Sequence, residues 1–215
     1  MFGLATSIAN PRPNPAPPEA KNKPLFREAG LHAVAPGRPN VYNNGKKRMH
    51  RREEAALDKR MKIYLDTSVI SYLDQTDSPE KMADTLKFWE FLKRGSVDVF
   101  VSTVTMEELG RNIEPKLGAL RNYLGQIKHT VIEVDEVVKY VANKIIENGI
   151  LTKKNFDDCV HIASSLLYEC DCIVSWNFKH IVNIKTIKGM KIVAAQTGYG
   201  GSTMICTPSY LTEGA

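Results

Sequence analysis

Lys62-Ile63-Tyr64-Leu65-Asp66-Thr67-Ser68-Val69 decides how the chain is read: a short apolar strand delivers an aspartate at its carboxyl end, and two hydroxyl residues follow before the next helix. In an open parallel α/β sheet, ligands bind beyond the carboxyl ends of strands, so Asp66 stands where chemistry is usually done. From Met61 onward, strand and helix patterns alternate. After Ile63–Asp66 and a brief helix over Val69–Asp74, Ser78-Pro79-Glu80 reads as a helix start. That helix runs to Arg94 with Leu86, Trp89, Phe91 and Leu92 inward, and Gly95 stops it.

Val97–Ser102 reads as a strand and Thr105–Asn112 as a helix, and Pro115 opens a helix reaching Lys128. Val131–Val134 is a strand, after which Asp135 caps a helix carrying Val137, Val138, Val141, Ile145 and Ile146 and ended by Gly149. Asn155 caps a helix through Glu169, Cys172–Ser175 is a strand, and Lys191–Ala194 reads as a last, edge strand. Repeated strand–helix units predict a parallel sheet with helices on both faces. About 155 residues bury roughly 68–70% of their extended-chain surface, enough for an independent core. The glycine-rich run Gly198-Tyr199-Gly200-Gly201-Ser202 lacks the Gly-Lys pattern of a phosphate cradle.

Residues 1–60 read differently. Pro11, Pro13, Pro15, Pro17 and Pro18 crowd one stretch without apolar periodicity, which predicts disorder. Twelve Lys and Arg face five Asp and Glu there, whereas residues 61–215 hold 17 against 19. The formal charge of +5 therefore belongs to the tail, and the folded part is close to neutral. The basic run Lys46-Lys47-Arg48-Met49-His50-Arg51-Arg52 suits either a solvated tail or nucleic-acid contact. A start assigned too early, with Met61 or Met49 the true first residue, is the alternative to a physiological tail. No apolar run is long enough for a membrane span, and the opening residues lack a secretory pattern. Cys159, Cys170, Cys172 and Cys206 lack zinc-site spacing and read as buried reduced thiols of a cytoplasmic protein.

Four oxygen-bearing side chains fall at junctions between elements. Asp66 ends the first strand, Glu108 lies one turn into a helix that follows a strand, Asp158 sits in the first turn of the Asn155 helix, and Asn177 follows the Cys172–Ser175 strand. A doubly wound sheet gathers such junctions along one edge. Clustered carboxylates raise one another's pKa unless a cation neutralises them. Oxygen donors suit Mg²⁺ or Mn²⁺, whereas zinc prefers His and Cys. An ion so held activates water for attack on a phosphodiester, which points to a metal-dependent nuclease. Each residue also has a structural reading: Asp66 as a helix cap, Glu107 or Glu108 and Asp157 or Asp158 as acids favoured at helix N-termini, and Asn177 as a turn residue. Thr67, Ser68 and Ser175 stand where they could bind substrate phosphate. His161 reads as a packed core histidine, and Lys179 and His180 as solvated.

In order along the chain, Tyr64-Leu65-Asp66-Thr67-Ser68, Val101-Ser102 with Glu108-Leu109, Asp158-Cys159-Val160-His161-Ile162-Ala163 and Val174-Ser175-Trp176-Asn177 resemble the PIN-domain nucleases, especially the VapC-type toxin ribonucleases and their solitary bacterial relatives. The resemblance implies a PIN-like, Rossmann-like α/β/α sandwich with a central parallel sheet. It implies catalytic Asp66, Glu108, Asp158 and Asn177, with Asp66, Glu108 and Asp158 as metal ligands, and Ser175 at the family's serine or threonine. It favours Glu108 over Glu107 and Asp158 over Asp157. It further implies Mg²⁺ or Mn²⁺ as cofactor, RNA as substrate, dimerisation, and silencing by a small antitoxin protein. Asn177, where aspartate is common, removes one negative charge and favours one strong metal site. Two other functions compete: a phosphatase with Asp66 as nucleophile, although Ser68 stands where such enzymes want a second aspartate, and a PIN-like module that binds RNA or protein without cleaving it.

Overall fold

The computed structural model describes residues 60–212. The expectations of a disordered tail and of a start at Met49 fall on residues outside those described.

Five parallel strands form one sheet: β1 (Lys62–Leu65), β2 (Asp98–Ser102), β3 (His129–Ile132), β4 (Cys172–Val174) and β5 (Met204–Cys206), in the order β3-β2-β1-β4-β5. The helices between them are α1 (Thr67–Ser71), α2 (Pro79–Lys93), α3 (Thr103–Gly110), α4 (Lys116–Gly125), α5 (Glu136–Glu147), α6 (Phe156–Leu167), α7 (Ile184–Thr197) and α8 (Pro208–Thr212). From β1 the chain steps outward through β2 and β3, then returns to the other side of β1 to lay down β4 and β5. The direction of winding reverses between β1 and β4, and a crevice opens at the carboxyl ends of strands where such a reversal occurs.

Alternation along β1 divides the core. Ile63 and Leu65 face one side and pack with Val69, Ile70, Leu73, Phe88, Trp89 and Leu92 from α1, its following turn and α2. Tyr64 faces the other side, with Val141 and Ile145 of α5 and Ile162 and Leu166 of α6. A period of two in side-chain direction produces this split, and burial on both faces explains why β1 and β4 carry almost continuous apolar runs. In α2, Trp89 and Leu92 are buried as expected, but Phe88 joins them while Leu86 and Phe91 lie nearer the edge. Asp135 caps α5, its Oδ1 accepting from the Val137 and Val138 amides at 3.0 and 2.9 Å. Gly95 and Gly149, the expected stops, take left-handed conformations.

Two expectations are overturned. Lys191–Ala194 belongs to α7, not to a strand. Asn183 starts that helix by accepting from the Thr186 amide at 2.9 Å, and Thr186, Met190, Val193 and Ala194 are buried at helical spacing. A short apolar run does not distinguish strand from buried helix. The edge strand is the three-residue β5, reached through the glycine-rich loop, where a side chain at Gly200 would strike the Leu166 Cα at 2.6 Å. The four thiols also differ in state. Cys172 and Cys206 are joined by a disulfide between β4 and β5, while Cys159 and Cys170 are free and buried, and that burial pushes their thiol pKa up to about 12. Because β5 is not apparent from sequence, neither is the adjacency of Cys206 to β4. No helix among the described residues is long and apolar enough to cross a membrane.

Candidate active site

Asp66 follows β1 and precedes α1, but its side chain caps nothing in that helix. Oδ2 instead accepts from the Ser68 hydroxyl at 2.5 Å and from the Ser175 hydroxyl, at the end of β4, at 2.6 Å. The same two hydroxyls receive backbone amides, Trp176 N–H on Ser68 at 2.9 Å and Asn177 N–H on Ser175 at 2.8 Å. The chain leaving β4 is thus tied to the chain leaving β1 through one buried carboxylate oxygen.

Glu108 reaches this point from α3. That helix begins where Ser102 and Thr105 form a reciprocal capping box, so Glu108 lies on the inward side one turn later. Its Oε2 accepts a short hydrogen bond from the Thr67 hydroxyl and lies 3.1 Å from His161 Nε2. Asp66 Oδ1 is 3.5 Å from the same nitrogen. On the other side of the ring, Nδ1 lies 2.8 Å from the Tyr64 hydroxyl, which donates to Ser102 Oγ at 2.8 Å. With Tyr64 donating to Ser102, Nδ1–H must donate to Tyr64, and Nε2 must also carry a proton to face two carboxylates. Burial opposes that charged imidazolium. Tyr64, Glu108 and Asp66 outweigh the opposition and raise the His161 pKa well above its ordinary value. Burial likewise opposes ionisation of Glu108, but His161 and Thr67 outweigh it and leave its pKa lowered.

Asp158 enters from the first turn of α6. Oδ1 accepts from the Asn177 side-chain amide at 2.8 Å, and Oδ2 lies 2.8 Å from His180 Nδ1. Asn177 in turn accepts from the His180 backbone amide at 3.0 Å. Burial raises the Asp158 pKa, the charge of Asp66 adds to that, and His180 pulls against it.

The structure brings Asp66, Thr67, Ser68, Glu108, Ser175, Asp158 and Asn177 together at the switch point, and leaves their neighbours out. Glu107 is exposed, and Asp157 points to Arg111 at 3.6 Å on the surface. Asn155 makes no side-chain cap for α6, against the expectation that it caps that helix. His180 is not the solvated residue expected, because it is half-buried against Asp158. His161 is buried as expected, but the sequence reading did not anticipate that it spans Asp66 and Glu108. Tyr64 reads in sequence only as the first residue of the Tyr64–Ser68 motif, with no role of its own. Its one signal is a tyrosine amid an otherwise aliphatic strand, where a buried hydroxyl needs partners.

Chemically, this is an oxygen-donor set of three carboxylates with one amide beside them. Such a set suits a hard divalent cation. Among the described residues, no three His, Cys, Asp or Glu side chains are spaced to close on an ion as they stand. Each carboxylate is turned instead toward its own hydrogen-bond partners.

The family model for the PIN domain matches residues 63–179, more than half of the chain. The chain belongs to the PIN-domain family. Among solved structures it is similar to the crystal structure of VapBC2 from Rickettsia felis bound to a DNA fragment from their promoter, with a TM-score of 0.41 and 15% identity, over 58% of this chain and 95% of that one. No curated protein matches the chain.

Proposed function

We propose that this protein is a Mg²⁺- or Mn²⁺-dependent endoribonuclease and the toxin of a type II toxin–antitoxin pair, acting on RNA in the cytoplasm. One observation carries the reading: the three carboxylates, drawn from positions far apart in sequence, meet at the β1/β4 switch point. Asp66 and Glu108 share His161, and Asp66 is linked to Asp158 through the Ser175 hydroxyl and Asn177. Asp66, Glu108 and Asp158 would hold the ion, which when bound supplies a Lewis acid for the phosphodiester and lowers the pKa of attacking water.

The chain's own residues prepare that site. Ser68 and Ser175 fix the rotamer of Asp66, Thr67 and His161 fix Glu108, and Asn177 and His180 fix Asp158. Locking carboxylates before substrate arrives reduces the reorganisation required at the reaction step. Asn177 donates to Asp158 where an aspartate would repel it, which suits one strong cation site. The toxin assignment, with dimerisation and a small antitoxin as partner, rests on the ordered motifs from Tyr64 to Asn177.

A second reading, a PIN-like module that binds without cleaving, is favoured by the fact that all three carboxylates already have hydrogen-bond partners. One experiment separates the two. Full-length protein should cut single-stranded RNA with Mg²⁺ or Mn²⁺ and lose that activity in EDTA and in Asp66→Asn. RNA binding without metal-dependent cleavage would favour the module. A short neighbouring reading frame whose product co-purifies and inhibits cleavage would support the toxin assignment.

A further inference from the structure

Beside the acidic crevice, three aromatic rings surround one lysine. The Lys81 ammonium lies 4.9 Å from the Tyr72 ring centre, 5.6 Å from that of Trp176 and 5.4 Å from that of Phe178, and donates to the Tyr72 hydroxyl at 3.3 Å. Trp176 and Phe178 flank Asn177 in sequence, so the cage is continuous with the site. A chain of hydrogen bonds fixes it there. Ser68, which donates to Asp66, accepts the Trp176 amide at 2.9 Å, and the Trp176 indole donates to Thr85 at 2.8 Å. Thr85 donates to the Lys81 carbonyl at 2.6 Å.

The other lysines of α2 behave differently. Lys87 pairs with Asp84 and Lys93 with Glu90, each three residues away. Lys81 has Asp84 at the same spacing and Asp77 one turn before it, yet among the described residues it forms no ion pair. Ring faces stabilise its charge without neutralising it. A half-buried cation held free of carboxylates, next to three acids, is what a polyanion needs in order to approach a folded region whose net charge is slightly negative. Phe178, half exposed, adds an open ring face of the kind on which single-stranded bases stack.

We propose that Lys81, Tyr72 and Phe178 form a nucleotide subsite for single-stranded RNA, in which Lys81 binds a phosphate flanking the scissile one and Phe178 stacks a base. This rests on the nuclease reading for the identity of the substrate, but its test does not require cleavage. Binding of a short fluorescein-labelled single-stranded oligoribonucleotide to full-length protein is followed by anisotropy in Ca²⁺, across a series of salt concentrations.

Lys81→Gln should weaken binding and reduce the slope of log affinity against log salt by about 0.7, the value for one phosphate contact on a single strand. Phe178→Ala should weaken binding about tenfold with the slope unchanged, and Lys81→Arg should retain most of the affinity. In cleavage assays, both damaging variants should raise KM more than they lower kcat. Lys81-dependent binding in a protein that never cuts RNA would sink the nuclease reading and leave the subsite standing. Wild-type cleavage with unchanged affinity, slope and KM in both variants would overturn the subsite. So would variants that bind RNA normally but lose a protein partner.

Discussion

Asp66 and Glu108 occupy one half of the crevice and Asp158 the other, and the two halves are built on different principles. In the first, the Asp66 side chain is 5% exposed and His161 1%, and an imidazolium held by Tyr64 from the opposite edge supplies the counter-charge. In the second, the Asp158 and His180 side chains are 18% and 21% exposed, and a neutral amide from Asn177 provides half of the support. Both halves orient carboxylates. The first half does so around the buried Asp66–His161 pair, which is costly to disturb even though Glu108 beside it is 23% exposed, whereas the second half uses only contacts that water can partly replace.

If both halves serve one reaction, the largest effect belongs to Asp66→Asn. RNA cleavage should fall on the order of 10³-fold, equivalent to several kcal/mol of transition-state stabilisation, as measured by single-turnover kinetics. EDTA should reproduce that loss in the wild type.

The difference between the halves is exposed by exchanging their histidines. His161→Leu leaves the buried Asp66 and the half-buried Glu108 without their cation, and should cost about 3–5 kcal/mol in urea unfolding. His180→Ala should cost under about 1 kcal/mol in the same assay, and reduce activity about tenfold by loosening Asp158. Equal costs would break the comparison.

Acidity sharpens it further. The folded-state pKa of His161 is raised, so its contribution to stability is fully present below the ordinary histidine range. Stability should then decline as pH rises through the folded value, at up to about 1.4 kcal/mol per pH unit. Urea titrations in EDTA from neutral into alkaline pH measure this slope, and His161→Leu should remove it. The depressed Glu108 pKa works in the opposite sense: its stabilisation is present above the ordinary carboxylate range and lost as pH falls through the folded value.

At the small end, Glu107→Gln and Asp157→Asn should leave cleavage unchanged and stability within about 0.5 kcal/mol. Both are surface acids adjacent in sequence to residues of the site.

Much of this is legible in the sequence. The strand ending at Asp66, the alternation of elements and the resemblance from Tyr64 to Asn177 together lead to the sheet and to the residues that meet at its switch point. What escaped was set by contacts between distant segments. His161 and His180 each sit in unremarkable local surroundings, and only tertiary packing turns them toward Glu108 and Asp158. The Tyr64 hydroxyl differs from a plain phenyl ring only through Ser102 and His161, partners that distant segments supply. In sequence Lys81 is one of several lysines of α2, and only tertiary packing brings Tyr72 and Phe178 around it. Three residues of β5 behind a glycine-rich loop carried too little periodicity to register, and the Cys172–Cys206 bond was hidden with them.

The account depends most on whether Asp66, Glu108 and Asp158 serve a common cation, and calorimetric titration of Mn²⁺ into full-length protein tests that directly. One site should appear in the wild type, be lost or greatly weakened in each of Asp66→Asn, Glu108→Gln and Asp158→Asn, and persist in Asp157→Asn. A Mn²⁺ site indifferent to any of the three carboxylates, or no site at all, would contradict it.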